Sequence, residues 1–482
     1  MAINVGFAFR TISISTGEVI PLILANALYG SQSLLGRINM NRPRFGAWHT
    51  TLAIASMSMF VASSPSRADD SIAGEIEKLK EKISELEGRQ KLSEDILKSK
   101  VDAQQQGAIG GLGGGFTGGW DEGFKIKSTD GNYQLQPFGH FQFRYLLNSQ
   151  SEVLSEEANI QDGFELARTR FGFQGHLFSP DLTFFTLFAA ARDTGSVALE
   201  QAYIQYKMAE NYQLRVGQWE SEVGREMMVA STRQLGADRS LVNDVLGLGD
   251  VGFVQGVQLR LGMDKGPVRT TLAFTDGARS GGTNFVDSNG TNYGAQARID
   301  YLFTGDWKDY RDQSAMNIKT PLLAMGVGLD YTEADAPLTS PATSLRRDTR
   351  NIYRHYADVT YKSAKGFGLL GAYSGRWTTS ENGDLYDLGL LGQGSYVIPN
   401  TKWELFTQLG LVRLDSAPDT QSNDSFSQFT LGTTYYYHKQ NAKMTLDLTY
   451  LPDGAPKTST NFGSFASDES QFIIRGQFQF LF

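Results

Sequence analysis

From Tyr133 to the C-terminus, apolar and polar side chains alternate with a period of two. In residues 133–147 one parity carries Tyr133, Leu135, Phe141, Phe143, Tyr145 and Leu147, and the other carries Gln134, Gln136, His140, Gln142 and Arg144. Successive side chains of a strand point to opposite faces, so each such stretch predicts a strand with one apolar and one polar face. The pattern predicts sixteen strands: near 133–147, 165–178, 182–192, 199–208, 211–219, 251–262, 267–275, 292–303, 321–332, 352–363, 366–377, 385–397, 401–413, 426–438, 442–451 and 471–482. Short turns such as 179–181, 263–266 and 399–400 alternate with long connections at about 148–163, 220–250, 276–291, 333–350, 414–425 and 452–470, while one turn, 304–320, is longer than that alternation expects. An even number of strands of about ten residues, with short turns at one end and long loops at the other, describes an antiparallel transmembrane β-barrel. Aromatic residues such as Tyr435, Tyr436, Tyr437 and Trp377 cluster near strand ends, where interfacial girdles sit.

The first 132 residues follow other rules. From Met40, a basic stretch with Arg42 and Arg44 precedes an apolar run from about Ala47 to Ala62, then Ser66-Arg67-Ala68 before Asp69. That is the layout of a secretory signal peptide, so residues 1–68 are read as an extension plus signal, with Met40 the expected start. In 69–106, Ile72, Ile76, Leu79, Ile83 and Leu86 recur at alternating steps of four and three, and the seam returns near Leu97 after polar Gln90 and Ser93. This is an a/d seam, read as a short self-associating coiled coil; Ile at a and Leu at d lean toward a parallel dimer, and a lone solvated helix is the alternative. Residues 107–121 are glycine-rich and read as a flexible linker, leaving 122–482 for the barrel.

Composition narrows the function classes. There is no cysteine and there are five histidines, so disulfides are excluded and a transition-metal site has few ligands to draw on; no cofactor is expected. A net charge of −8 offers no electrostatic footprint for nucleic acid. No apolar run reaches the roughly 18 residues of a helical span.

Arginine placement is the most informative chemical feature. Arg144, Arg168, Arg170, Arg215, Arg260, Arg269, Arg298, Arg354, Arg376 and Arg475 all fall on the polar parity of their strands. A charge on the lipid face costs about 2–4 kcal/mol near the midplane, so these residues are expected to line a wet lumen. Inward acids are fewer: Asp300, Asp358, Asp387, Glu404 and Asp447. Two readings stand, an anion-attracting wall and a general pore in which basic and acidic walls oppose one another. The 220–250 loop is the longest between strands; folded inward it predicts a mixed-charge constriction from Glu220, Glu222, Arg225, Glu226, Arg233 and Arg239, and lying over the mouth it would not. His140 and His176 stand on the polar face without a nucleophile and base arranged beside them, so no enzyme activity is expected.

The stretch "ARTRFGFQGHLF", with "LEQAYIQYKMAENYQLRVGQWESEVGREMM" and "DRSLV", resembles the phosphate-selective porin O and P family of Gram-negative outer membranes, from about residue 122 onward. The family's R-x-R-x-G-x-x-G step maps to Arg168, Arg170, Gly172 and Gly175. Its tyrosine strand maps to Ala202, Tyr203 and Tyr206, and its VGQ strand to Val216, Gly217 and Gln218. The resemblance implies a sixteen-stranded, homotrimeric outer-membrane barrel, often preceded by a short coiled coil. An alternating last strand ending in Phe482 resembles the signal read by the barrel-insertion machinery. Where phosphate-specific members concentrate basic residues, this chain has Glu220, Glu222 and Glu226. The expected function is therefore a porin for passive diffusion of small hydrophilic solutes, anion- or phosphate-preferring or general, set in outer-membrane lipid with its coiled coil in the periplasm. A structural anchor carrying a periplasmic coiled-coil stalk is the second reading.

Overall fold

A computed structural model describes residues 77–78, 80–88, 91, 115–120, 123–151, 160–263, 265–284, 291–334, 349–380, 383–415, 421–456 and 462–482. Contacts divide the chain into residues 1–93 and 94–482. In the first unit the described residues are helical, and Ile83 and Leu86 are exposed. The signal peptide and the seam positions Ile72, Ile76, Leu79 and Leu97 lie outside the described residues.

The second unit begins with a hairpin of β1 (Phe116–Trp120) and β2 (Phe124–Ser128), which the glycine-rich sequence does not suggest. Phe116 and Trp120 flank Gly118 and Gly119, and a five-residue strand accommodates the two glycines that a long strand would not. Only Ile126 and Lys127 pair onward, with Leu135 and Gln134.

The barrel follows: β3 (Gln134–Gln150), β4 (Ile160–His176), β5 (Leu182–Ala190), β6 (Val197–Ala209), β7 (Tyr212–Glu220), β8 (Phe253–Leu261), β9 (Val268–Thr275), β10 (Thr291–Thr304), β11 (Leu322–Ala334), β12 (Thr349–Lys362), β13 (Phe367–Ser380), β14 (Leu385–Val397), β15 (Trp403–Arg413), β16 (Ser425–His438), β17 (Ala442–Leu451) and β18 (Gln471–Leu481). Each pairs antiparallel with the next, and β18 returns to β3 from Gln471↔Gln150 to Leu481↔His140. Phe482 and Gly139 then exchange two backbone hydrogen bonds of 3.1 Å, so pairing continues to the last residue. Closure removes free edges, which hydrocarbon would leave unsatisfied. Each of the sixteen predicted segments overlaps one of these strands.

Alternation sets the two faces. On β16, Leu431 is 67% exposed and its neighbour Thr430 is 2% exposed. Phe141, Phe143, Leu446, Phe472, Phe478 and Phe480 share the outer face with Leu431. Long connections leave one end of the barrel and tight turns the other; at the tight end Gly366 and Asn400 take φ of 88° and 59°, the left-handed region such turns require.

Two connections enter the barrel. The segment between β7 and β8 carries α1 (Arg225–Met228), α2 (Leu241–Leu246) and α3 (Leu248–Val251), and nearly all of it is buried. The long turn between β10 and β11 turns back inside from the tight-turn end and buries Tyr310. The two meet: Arg233 pairs with Asp312 at 2.7 Å, and the Leu235 amide donates to Gln313 Oε1 at 3.0 Å. That inward fold accounts for the length of the 304–320 connection.

Candidate functional site

The inserted segment is held by apolar and ionic contacts. Leu241, Val242, Val245 and Leu246 of α2 pack with Leu370, Leu391, Val412, Phe426, Leu451 and Ile473 in one buried cluster. These wall residues lie on the parity that is polar elsewhere. Their signal in the sequence is a broken alternation, the doublets Leu369-Leu370, Leu390-Leu391, Leu411-Val412, Leu451 after Tyr450, and Ile473-Ile474. Reading each strand as strictly two-faced hides this docking patch. Glycine completes it: a Cβ on Gly389 would stand 2.7 Å from Val242 Cγ1.

Arginine supplies the ionic contacts. Arg354 donates to Asp250 of α3 and to Asp330, each at 2.6 Å. Arg376 pairs with Asp387 at 2.5 Å and with Asp250 at 3.3 Å. Arg298 donates to Asp300 at 2.6 Å, to Asp358 at 2.8 Å and to the Val223 carbonyl at 2.8 Å. Arg215 and Arg260 share Glu222, both at 3.1 Å. Arg475 pairs with Asp447 at 2.7 Å, and Asp447 also accepts from the Ala237 amide at 2.9 Å. Arg269 donates to the Met263 carbonyl at 2.9 Å and stacks on Trp307. Nine of the ten arginines singled out in the sequence thus have a carboxylate partner, and most clamp the inserted segment. Among the described residues, acids from neighbouring strands and from the inserted segment thus meet most of the guanidiniums that parity places inward.

The six residues proposed for a constriction are spread across this arrangement. Glu222 ties β7 to β8 as described. Arg225 is buried, stacks 3.8 Å from the Tyr310 ring centroid and donates to the Tyr310 carbonyl. Glu226 is buried and accepts from the Ser240 amide at 3.2 Å and from the Ser240 hydroxyl. Arg233 reaches Asp312. Arg239, paired with Glu220 at 2.7 Å, lines an open cavity.

That cavity, of about 580 Å³, lies against β4–β6. Ala167, Ala189, Ala190, Ala191 and Ala198 leave the room, and Arg168, Arg170, Arg192, Arg239 and Arg279 supply the polar lining together with Glu200. Carboxylates stand behind the guanidiniums: Asp238 accepts from Arg168 at 2.8 Å and from Arg144 at 3.3 Å, Glu165 from Arg144 and Arg192, and Glu200 from Arg170. Asp238 is almost wholly buried, whereas Glu200 is about as exposed as its partner Arg170. Arg279 escaped the sequence reading because it lies in a long connection, where strand parity says nothing, and Arg192 because it sits at the end of the predicted 182–192 strand, which the structure closes at Ala190.

A closed sixteen-stranded barrel with an apolar outer band, a segment folded inward and a basic cavity beside it defines an outer-membrane channel of the porin class for small solutes. Residues 150–305 match the family model described as phosphate-selective porin O and P, bearing out the resemblance read in the sequence. No curated protein matches the chain by sequence. Among solved structures, the anion-selective porin from Comamonas acidovorans is similar at a TM-score of 0.51 and 12% identity, covering 73% of this chain and 100% of that one. OmpT of Vibrio cholerae gives 0.47 and 12%, with 72% and 98% coverage. The outer membrane channel DcaP of Acinetobacter baumannii gives 0.48 and 11%, with 73% and 99% coverage. Family match and barrel fold together place the protein in a Gram-negative outer membrane, and they point to a channel rather than an enzyme.

Proposed function

We propose that this porin is a passive channel with a modest preference for small anions, whose permeation path runs past Arg168, Arg170, Arg192, Arg239 and Arg279. The observation that carries this reading is the lining of the 580 Å³ cavity, five arginines facing one glutamate. Solutes passing there meet guanidinium N–H groups that accept carboxylate, phosphate or halide alike. The carboxylates behind them keep the local excess small, which favours anion preference over phosphate specificity. Among the arginines read from the sequence as pore-lining, Arg168 and Arg170 carry this role. Arg144, Arg215, Arg260, Arg298, Arg354, Arg376 and Arg475 act as anchors of the inserted segment, which sets the width of the path.

The chain enters β3 at the tight-turn end of the barrel, the periplasmic end in barrels of this kind. A coiled coil over 69–106 would accordingly stand in the periplasm. Three protomers, each contributing one helix, form the proposed assembly; among the structures similar to this chain, OmpT of Vibrio cholerae is described in a trimer form. The test is the reversal potential of the full-length porin in a planar bilayer under a salt gradient. An anion-selective potential that falls in the folded Arg168→Ala, Arg170→Ala double variant is expected. Folded protein without conductance would instead make the barrel an anchor for its coiled-coil stalk.

A further inference from the structure

Next to the basic cavity, the enclosed face carries a row of aromatic rings that ion pairing does not explain. Phe138 of β3, Phe185 of β5 and Tyr203 of β6 all have inward parity, opposite to the exposed Phe171, Phe173 and Ile204. Their ring centroids are 5.3 Å apart from Phe138 to Phe185 and again from Phe185 to Tyr203, with interplanar angles of 24° and 18°. The three rings therefore form one stacked row across β3–β6, their faces turned on one another and their edges toward the enclosed space. It bridges β4 because Gly172, the inward residue there, has no side chain: a Cβ on Gly172 would meet the Phe138 ring at 2.7 Å. All three rings stay half-buried; Tyr203 also packs against the cluster of Trp219, Val223, Met227 and Val251, while the rest of the inserted segment docks on the opposite wall.

Both ends of the row are cationic. Gly172 is two residues from Arg170 on the same strand face, roughly 7 Å along the chain. At the other end the Arg215 guanidinium lies 4.3 Å from the Tyr203 ring centroid. A half-exposed row of ring edges one inward position below a cavity-lining arginine matches a particular shape of solute, one with an anionic head and a planar ring whose face can meet those edges. An inorganic oxyanion uses only the arginines, whereas an aromatic carboxylate uses the arginine and the rings together.

Resting on the anion-channel reading above, we propose that the preferred solutes are small aromatic carboxylates, which pair with Arg170 and slide over Phe138, Phe185 and Tyr203. The row gives transient, repeated edge-to-face contact rather than one tight site, as conduction requires.

The test compares block of the chloride current of the full-length protein by benzoate and by cyclohexanecarboxylate, which match in charge and nearly in size but differ in the π face. Benzoate is expected to half-block at a concentration roughly two- to ten-fold lower, the factor that one aromatic contact supplies. Phe185→Leu and, separately, Phe138→Leu are expected to bring the two values together. Anion preference in chloride with equal block by both carboxylates would overturn this inference and leave the channel reading intact. Absence of anion preference in chloride would overturn the channel reading, and this inference with it.

Discussion

Replacing Asp238 with Asn tests the electrostatic account of the cavity. Asp238 sits on the inserted segment and accepts from Arg168 at 2.8 Å, from Arg144 at 3.3 Å and from the Arg239 amide at 3.0 Å. Asparagine keeps the shape and one acceptor oxygen but removes the charge. Arg144 retains Glu165 and Arg168 retains Gln142 Oε1 at 2.9 Å, so neither guanidinium is stranded. The stability loss should therefore fall below the roughly 3–5 kcal/mol typical of a broken buried pair. The cavity gains one uncompensated positive charge. At about 4 Å, a unit charge acts on a passing ion with about 1 kcal/mol in bulk water and about 4 kcal/mol at an effective dielectric of 20. A wet lumen lies nearer the first figure, which raises anion and lowers cation permeation about five-fold each and so multiplies their ratio roughly 30-fold. The assay is the reversal potential in a potassium chloride gradient, with folding checked by the heat-modifiable gel mobility of the barrel. A folded variant whose reversal potential is unchanged, or moves toward cation preference, would refute the claim that ions pass beside Arg168.

Gly389→Val should push Val242 off the wall, since even a Cβ there lies 2.7 Å from it; overpacking of this kind costs about 1–3 kcal/mol, and single-channel conductance should fall as α2 shifts toward the open side. Leu431→Arg on the outer face should cost about 2–4 kcal/mol and lower the yield of inserted barrel in a refolding assay, an effect that Thr430→Ser, one residue away on the inner face, should not share. Asp468, in the connection before β18, accepts from the Ser422 amide and hydroxyl, both at 2.7 Å, and from the Asn423 amide at 3.2 Å. Slight burial acts upward on this carboxyl, but those donors outweigh it and hold it below the ordinary carboxylate value of 3.8. Its contribution is thus present above the unfolded value and lost as pH falls through the lowered one. Asp468→Asn should lower the protein's thermal midpoint at pH 7 and have less effect at pH 3, read by circular dichroism.

Much of the barrel was legible before any coordinates. Alternation at Phe472, Ile474, Phe478 and Phe480 against Arg475, Gln477 and Gln479 announces a two-faced strand, and the same rule repeated sixteen times gives the strand count. The β1–β2 hairpin was not legible, because Gly118 and Gly119 read as linker until Lys127 and Gln134 pair. The inward turn after β10 appeared only as an anomalous length. The inserted segment was visible as a long connection, but its depth was not. Ile473 and Phe426, which help to bury it, look like noise in the alternation unless α2 is known to lie over them.

The face on which each arginine lies follows from the sequence alone, because strand parity is a local property with a period of two and the lipid face excludes charge. What each arginine does depends on partners that parity cannot see. Arg354 and Arg376 face inward like Arg168 and Arg170, yet the first two close on Asp250, which is more than a hundred residues away in the chain. The latter two border open space because the alanines of β5 and β6 leave it there. Only the tertiary structure brings carboxylates from other strands within pairing distance, and so decides which guanidiniums hold the protein together and which remain for a solute.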